Sequence, residues 1–268
     1  MSDWGKGAKN NTIGWGQGAC DNTIGWGKSQ KDSSVAASWS GDTDISGCSG
    51  SAGLAQIDNL NSMSFDGASD FINNGTGVGD ALGSLATNFS VSGWFKTLVN
   101  PLPSNEGMFG FGDYTDIIHN SPFRFYQASY NNFLVFFGHT IYHTYIVDVY
   151  FPASNRNAWR NYIIIYDGSK AASVDRIKLY VDGNFVSPFN EGSTIPSSVN
   201  LNGKTNTIGV VAQNRFYNGS VDELAVFNYS LTEAEALSIY NATAVVDGVN
   251  KTADLSQLTT PPIAWYRM

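Results

Sequence analysis

Asp222 and Glu223 stand side by side in the run Gly219-Ser220-Val221-Asp222-Glu223-Leu224-Ala225-Val226-Phe227. Retaining glycoside hydrolysis needs two carboxyl groups about 5 Å apart on one surface. Neighbouring residues of a strand point to opposite faces, so this pair suits a structural or metal-binding role better than acid/base work. His139 and His143 are four apart, the spacing of a zinc pair on a helix. The glutamate of His-Glu-x-x-His is missing and the surrounding residues favour strands. No Ser/His/Asp set is inferable, and no glycine-rich phosphate loop precedes a helix. Carboxylates and carbonyls are plentiful and soft ligands are not, so the ion these residues suit is calcium, Ca2+. Asp42 and Asp44 belong to the same class of hard donors.

The chain opens on an eleven-residue repeat. Trp4 to Gly14 is followed by Trp15 to Gly25 in the same pattern, and a third copy begins at Trp26-Gly27-Lys28. Glycine flanks each of these tryptophans at a helix cost of about 1 kcal/mol apiece, which argues against a helical supercoil. In an extended reading Ile13 and Trp15 share one face, Ile24 and Trp26 repeat it, and Asn-rich turns separate the copies. Two and a fraction copies fall short of a self-supporting solenoid, so this face needs a partner. Trp4, Ile13, Trp15, Ile24, Trp26 and Trp39 are the expected attachment residues. The alternative is a low-complexity tail, against which stands its content of large aromatic rings.

The remaining composition narrows the partners. The net charge is −8 and the pI near 4.7, with no Lys/Arg cluster to displace counterions from phosphates, which argues against nucleic acid. No apolar run approaches the twenty or so residues of a membrane span, and Met1-Ser2-Asp3-Trp4 does not read as a secretory signal. Cys20 and Cys48 are too few for a disulfide framework. Free thiols, with a Cys20–Cys48 bridge as the alternative, fit synthesis in a cytoplasm.

With 268 residues, 13% of them aromatic and 14% charged, the chain is long enough for one large β domain with a neutral, polar surface. Three parts are expected: the repeat arm at 1–53, a β domain at 54–245 and a polar tail at 246–268. Strands are predicted at 62–66, 89–96, 123–126, 133–137, 145–151, 162–166, 177–181, 207–211 and 221–227. In the second of these Phe89, Val91 and Gly93 alternate with Ser90, Ser92 and Trp94. Asp182-Gly183 reads as a hairpin turn. Ser230-Leu231-Thr232-Glu233 reads as a capping box with Ser230 at the N-cap, opening a helix to Tyr240 in which Leu237 and Tyr240 lie one turn apart.

Taken in order, Ser64-Phe65-Asp66-Gly67-Ala68-Ser69-Asp70-Phe71, Phe89 to Phe95, Tyr180-Val181-Asp182-Gly183, Thr207-Ile208-Gly209, Gly219 to Phe227 and Leu231 to Tyr240 resemble laminin-G-like, concanavalin-A-like domains. The resemblance spans about 60–243. It implies an all-β, antiparallel jelly-roll sandwich with one short C-terminal helix. It further implies a structural calcium at the sandwich edge held by Asp66, Asp70, Asp222 and Glu223, the alternative being that Asp66 and Asp222 cap turns. Glycan binding on such folds uses loops at one end or the concave face, which points to Tyr114, Tyr126, Tyr130, Asn131, Asn132, Tyr142 and His143, or else these residues pack in core and interfaces. The Glu-x-Asp-x-x-Glu strand of hydrolases with this architecture is missing, so no enzyme is expected.

The opening repeat, with Ser40 to Ile45, and the closing Trp265-Tyr266-Arg267-Met268 resemble segments of tailed-bacteriophage virion proteins. That resemblance implies a decoration, head-fibre or tail-fibre protein at the virion surface. Its expected partners are capsid or tail proteins, its own copies as a homotrimer, and host-surface glycans. A soluble or cell-surface lectin or adhesin is the alternative, and a polysaccharide depolymerase the third reading.

Overall fold

The computed structural model describes residues 54–98, 106–115, 122–127, 133–137, 144–147, 157–186, 194–211, 214–246 and 249–268. The repeat arm, with Trp4, Ile13, Trp15, Ile24, Trp26, Trp39, both cysteines and Asp42 and Asp44, lies outside them.

Described strands, in chain order, are β1 Gln56–Asp58, β2 Met63–Asp66, β3 Ile72–Asn73, β4 Asn88–Thr97, β5 Glu106–Phe111, β6 Phe123–Gln127, β7 Phe133–Phe137, β8 Thr144–Val147 and β9 Arg160–Asp167. They continue with β10 Ile177–Val181, β11 Asn184–Val186, β12 Asn206–Ile208, β13 Val210–Val211, β14 Arg215–Phe216, β15 Asn218–Phe227, β16 Ala244–Val246, β17 Val249–Ala253 and β18 Ala264–Tyr266. The helices are α1, Gly77–Leu82, and α2, Glu233–Asn241.

Two antiparallel sheets face each other. One runs β11-β10-β9-β4-β15-β18 with β2 also on β15, and the other β3-β12-β5-β6-β7-β8. Both are bounded by short strands: β3 has two residues, β8 four, and β11 and β18 three each.

The alternation in β4 sets the packing. Phe89, Val91 and Phe95 point between the sheets, where Phe89 meets Phe123 edge-on at 5.2 Å and Phe95 meets Phe125 at 5.9 Å. Ser90 and Ser92 point the other way, yet they too are buried. This outer face carries a second apolar layer, in which Ile163, Ile165, Tyr180, Ala225 and Phe227 meet Ala236 and Ile239 of α2 and Leu255 and Leu258 beyond β17. Ser90 survives burial because its hydroxyl donates to the Tyr229 carbonyl and accepts from the Leu231 N–H, both at 2.9 Å.

Three expectations need correction. The N-cap of α2 is Thr232, not Ser230: Thr232 Oγ1 accepts from the Glu235 N–H while Glu235 Oε2 accepts from the Thr232 N–H. The Ser230 hydroxyl instead donates to the Tyr166 carbonyl at 2.7 Å. Secondly, the pair expected one turn apart divides: Leu237 is 43% exposed, while Tyr240 stacks on Trp94 at 6.1 Å. Thirdly, residues 246–268 are not a tail. β17 joins β1 and β16 in a three-stranded sheet, and β18 pairs with β15 from Leu224↔Tyr266 to Val226↔Ala264.

The Asp182-Gly183 turn forms as expected. Both residues have positive φ, 50° and 73°, the geometry that joins β10 to β11. The predicted 207–211 strand is split at Gly209, whose φ of 83° starts the small β13–β14 hairpin.

Candidate functional site

At one end of the sandwich β3 and β5 end where β12 begins, with Asn73 opposite Thr207 and Phe111 opposite Asn206. Asn73, which ends β3, and Gly112, Asp113, Tyr114, Gly203, Lys204 and Thr205 just beyond β5 and before β12 line an open cleft of about 320 Å³. Its two walls are tied by the Gly112 N–H donating to the Thr205 carbonyl at 2.8 Å. Gly112 has φ 128°, a conformation that favours glycine.

The other wall is braced from behind by α1. Asp80 accepts the Gly203 N–H at 2.7 Å through one oxygen and the Thr76 hydroxyl at 2.8 Å through the other. These bonds hold its carboxyl below the usual range. A methyl group on Gly79 would lie 2.4 Å from the Leu201 carbonyl oxygen and 2.5 Å from that of Lys204, so only glycine lets α1 rest on this loop.

Tyr114 supplies the aromatic surface. Its half-buried ring packs against Phe71 at 4.7 Å, and Phe71 in turn meets Phe216 at 6.2 Å, which fixes the ring from below. Asp113 accepts from the Thr115 N–H and hydroxyl at 2.8 and 2.7 Å, setting the turn that presents Tyr114. Asn73, Asp113, Lys204 and Thr205 add amide, carboxylate, ammonium and hydroxyl groups around the ring. Such a surface can stack one face of a ligand and hydrogen-bond a hydroxyl-rich rim.

The other expected glycan residues divide. Tyr126 is only 6% exposed and Arg215 lies over its ring at 5.3 Å, so it packs in the fold and offers no open face. Tyr130, Asn131, Asn132, Tyr142 and His143 lie outside the described residues, as does His139. Asn73, Asp113, Lys204 and Thr205 were not singled out from the sequence. The available signals were the turn pairs Gly112-Asp113 and Asn202-Gly203 at the ends of apolar runs.

The acids expected to hold calcium sit in two separate places. Asp66 Oδ1 accepts from the amides of Ala68, Ser69 and Asp70 at 2.8, 2.8 and 3.0 Å, which holds its pKa down at about 2. That is the turn-capping alternative for Asp66, and Asp70 enters it through its backbone.

Asp222 and Glu223 lie in a β-bulge, where the β15–β4 register shifts between Asp222 and Ala225 and Glu223 has φ 50°. The bulge overturns the opposite-faces expectation. Both carboxylates turn toward the C-terminal residues: Glu223 accepts from Trp265 Nε1 at 2.6 Å and Arg267 Nε at 3.4 Å, while Asp222 accepts from Asn59, the Glu223 N–H and the Met268 N–H. They are 5% and 4% exposed, and burial pushes both pKa values up. Among the described residues no group of three or more His, Cys, Asp or Glu is placed to hold a metal ion.

The family model described as the concanavalin A-like lectin/glucanases superfamily, of laminin G type, matches residues 68–236. The chain belongs to this superfamily. The match takes in the cleft and the bulge and ends within α2, before β16, β17 and β18.

Solved structures of the same fold include a heptameric SAP-like pentraxin from Limulus polyphemus, 12% identical over 71% of this chain and 93% of that one, with a TM-score of 0.49. Another is the CBM40 of the Ruminococcus gnavus IT-sialidase bound to α2,3-sialyllactose, 12% identical over 70% and 99%, TM-score 0.47. A third, described as a receptor binding domain, is 13% identical with a TM-score of 0.50; the match covers 73% of this chain and 47% of that one, about half its length. At these identities the likeness is one of fold. No curated protein matches the chain.

Proposed function

We propose that this chain is a non-enzymatic structural protein of a tailed-bacteriophage virion, made in the host cytoplasm, attached to the particle through residues 1–53 and displaying residues 54–268 as a glycan-binding module. The observation that carries the glycan half is the end cleft, where the buttressed Tyr114 ring stands beside Asn73, Asp113, Lys204 and Thr205. Among the described residues the cleft is lined by one carboxylate, Asp113. The adjacent acid pair Asp222/Glu223 is buried under the chain's own Trp265 and Arg267, which favours binding over hydrolysis. The virion half rests on the tryptophan repeat in the sequence, whose recurring Ile13/Trp15 and Ile24/Trp26 pairs would call for partner surfaces. Symmetric copies, a trimer in this reading, would turn weak single-site contacts into avid ones.

Immobilised host-surface glycans provide the first test. Tyr114→Ala is expected to weaken retention of the full chain at least roughly tenfold, about 1.4 kcal/mol, with the fold intact by circular dichroism. Equal retention by the variant would remove the cleft as the site. Release of reducing ends by the wild type would favour a depolymerase.

The second test is particle incorporation. Deleting residues 1–53 is expected to abolish it while the 54–268 domain stays folded. Unchanged incorporation would sink the attachment role and leave a free lectin or adhesin as the better account.

A further inference from the structure

We propose that the last five residues, 264–268, act as a lock on the strands by which the segment before Leu54 enters the domain, and that Glu223 is the positioning residue that closes it. The family match stops at residue 236, and nothing in the proposed glycan role uses these residues. They nevertheless meet the described residues nearest the repeat arm.

Entry into the domain is weak on its own. Among the described strands β1 has one partner, β17, through the three pairs Gln56↔Ala253, Ile57↔Thr252 and Asp58↔Lys251. It is the edge strand of the three-stranded β1-β17-β16 sheet, held there over only three residues. Its other ties come from late in the chain. The Asn59 N–H donates to the Asn250 carbonyl at 2.9 Å, the Asp254 N–H to Ala55 at 2.7 Å, and Lys251 pairs with the Asp58 carboxylate.

β2 then runs along the outer edge of β15 over Asn218 to Val221, while β18 occupies the same edge over Leu224 to Val226. The bulge at Asp222-Glu223 falls in the seam between these two short strands, one from each half of the chain. Across that seam one chain of contacts runs from the bulge to β1. The Glu223 carboxylate accepts from Trp265 and Arg267, the Arg267 guanidinium lies 5.3 Å over the Trp265 ring, and its Nη2 donates to the Asp58 carbonyl at 2.7 Å. Asn59, just after β1, reaches Asp222 in the same seam.

Alternate residues of 264–268 point inward: Ala264, Tyr266 and Met268 pack on the inner core, and the Tyr266 hydroxyl donates to Asn206 Oδ1 at 3.2 Å. The strand is thus gripped on both faces. Only its outer face reaches β1, and that reach is oriented by Glu223. Because Ala264, Tyr266 and Met268 also pack against the core between the sheets, the outer-face residues Glu223 and Arg267 are the ones that isolate the reach to β1.

Hydrogen exchange of the full chain, followed by mass spectrometry, tests the lock. Arg267→Ala breaks the contact to Asp58. Glu223→Gln removes a buried charge without adding volume, so it is the variant best placed to fold. In both, peptides covering 54–66 are expected to exchange at least about tenfold faster, while peptides covering 88–97 and 160–167 keep their protection.

Because Glu223 acts through Arg267, the double variant should exchange no faster than the quicker single one. Unchanged protection at 54–66 in both single variants would overturn the proposal. Equal loss of protection across 54–66, 88–97 and 160–167 would overturn it too, by showing a general loss of stability. Rates that multiply in the double variant would remove Glu223 from its positioning role.

Discussion

Replacing Phe89 by alanine is expected to cost about 4 kcal/mol of folding free energy. Phe89 is fully buried near the start of β4, and its ring meets Phe123 of the facing sheet edge-on at 5.2 Å and Tyr166 of the neighbouring strand at the same distance. Truncation therefore loses the transfer free energy of the ring, two aromatic contacts and the filling of a space walled by two sheets that cannot both close in. Domains of this kind have some 5–15 kcal/mol in total, so the variant is expected to sit near the edge of folding at 37 °C. Urea denaturation checks this: the midpoint should fall sharply with the slope unchanged. A loss under about 1 kcal/mol would mean that the sheets do collapse into the space.

Stability is expected to decline as pH rises from about 4.5 to 8, and Glu106→Gln is expected to remove much of that decline. Glu106 is 3% exposed at the start of β5. Burial pushes its pKa up to about 7, only partly offset by the Asn218 N–H that it accepts at 3.2 Å.

With a folded pKa above the ordinary 4.5, the folded chain holds this proton more tightly than the unfolded chain. Its stabilising contribution is fully present below pH 4.5 and is lost as pH climbs through 7. A shift of that size corresponds to roughly 3 kcal/mol.

Burial shifts Asp222 and Glu223 in the same direction, so they add to the slope. Asp66 has the opposite sign: its contribution, present above pH 3.8, is lost as pH falls toward 2. The stability maximum should therefore lie on the acid side of neutrality. Thermal midpoints across pH 4 to 8 for both proteins provide the check, and parallel curves would clear Glu106 of responsibility.

What could be read from the sequence, and what could not, follows from the range of the forces involved. The two faces of β4 were legible because alternation is a local pattern, and the Asp182-Gly183 turn because two adjacent positive φ angles select Asp-Gly. The capping box of α2 was legible as a motif and misplaced by two residues. Ser230-x-x-Glu233 and Thr232-x-x-Glu235 both fit it, and the choice depends on Ser230 being needed at the Tyr166 carbonyl.

β5 was not legible. Its Gly107 and Gly110 look like breaks, but Gly107 is there because a Cβ would lie 2.4 Å from the Val211 backbone nitrogen of the overlying hairpin. The bulge at Glu223 turns on one backbone angle, which no side-chain pattern announces. Of the cleft, Tyr114 alone was anticipated. Asn73, Asp113, Lys204 and Thr205 come from three separate stretches that only the sheet order brings together.

The short boundary strands bear on how many copies of the domain can be crowded together. A long, flat edge offers unpaired N–H and C=O groups as a template on which a second sheet can grow, the usual route to aggregation. Among the described strands each sheet edge is a strand of two to four residues, and the ten-residue β15 is covered on its outer edge by β2 over Asn218–Val221 and β18 over Leu224–Val226. Copies held side by side at very high local concentration would meet through side chains and turns. Each would keep its own sheets, and a dense array would stay an array of separate molecules.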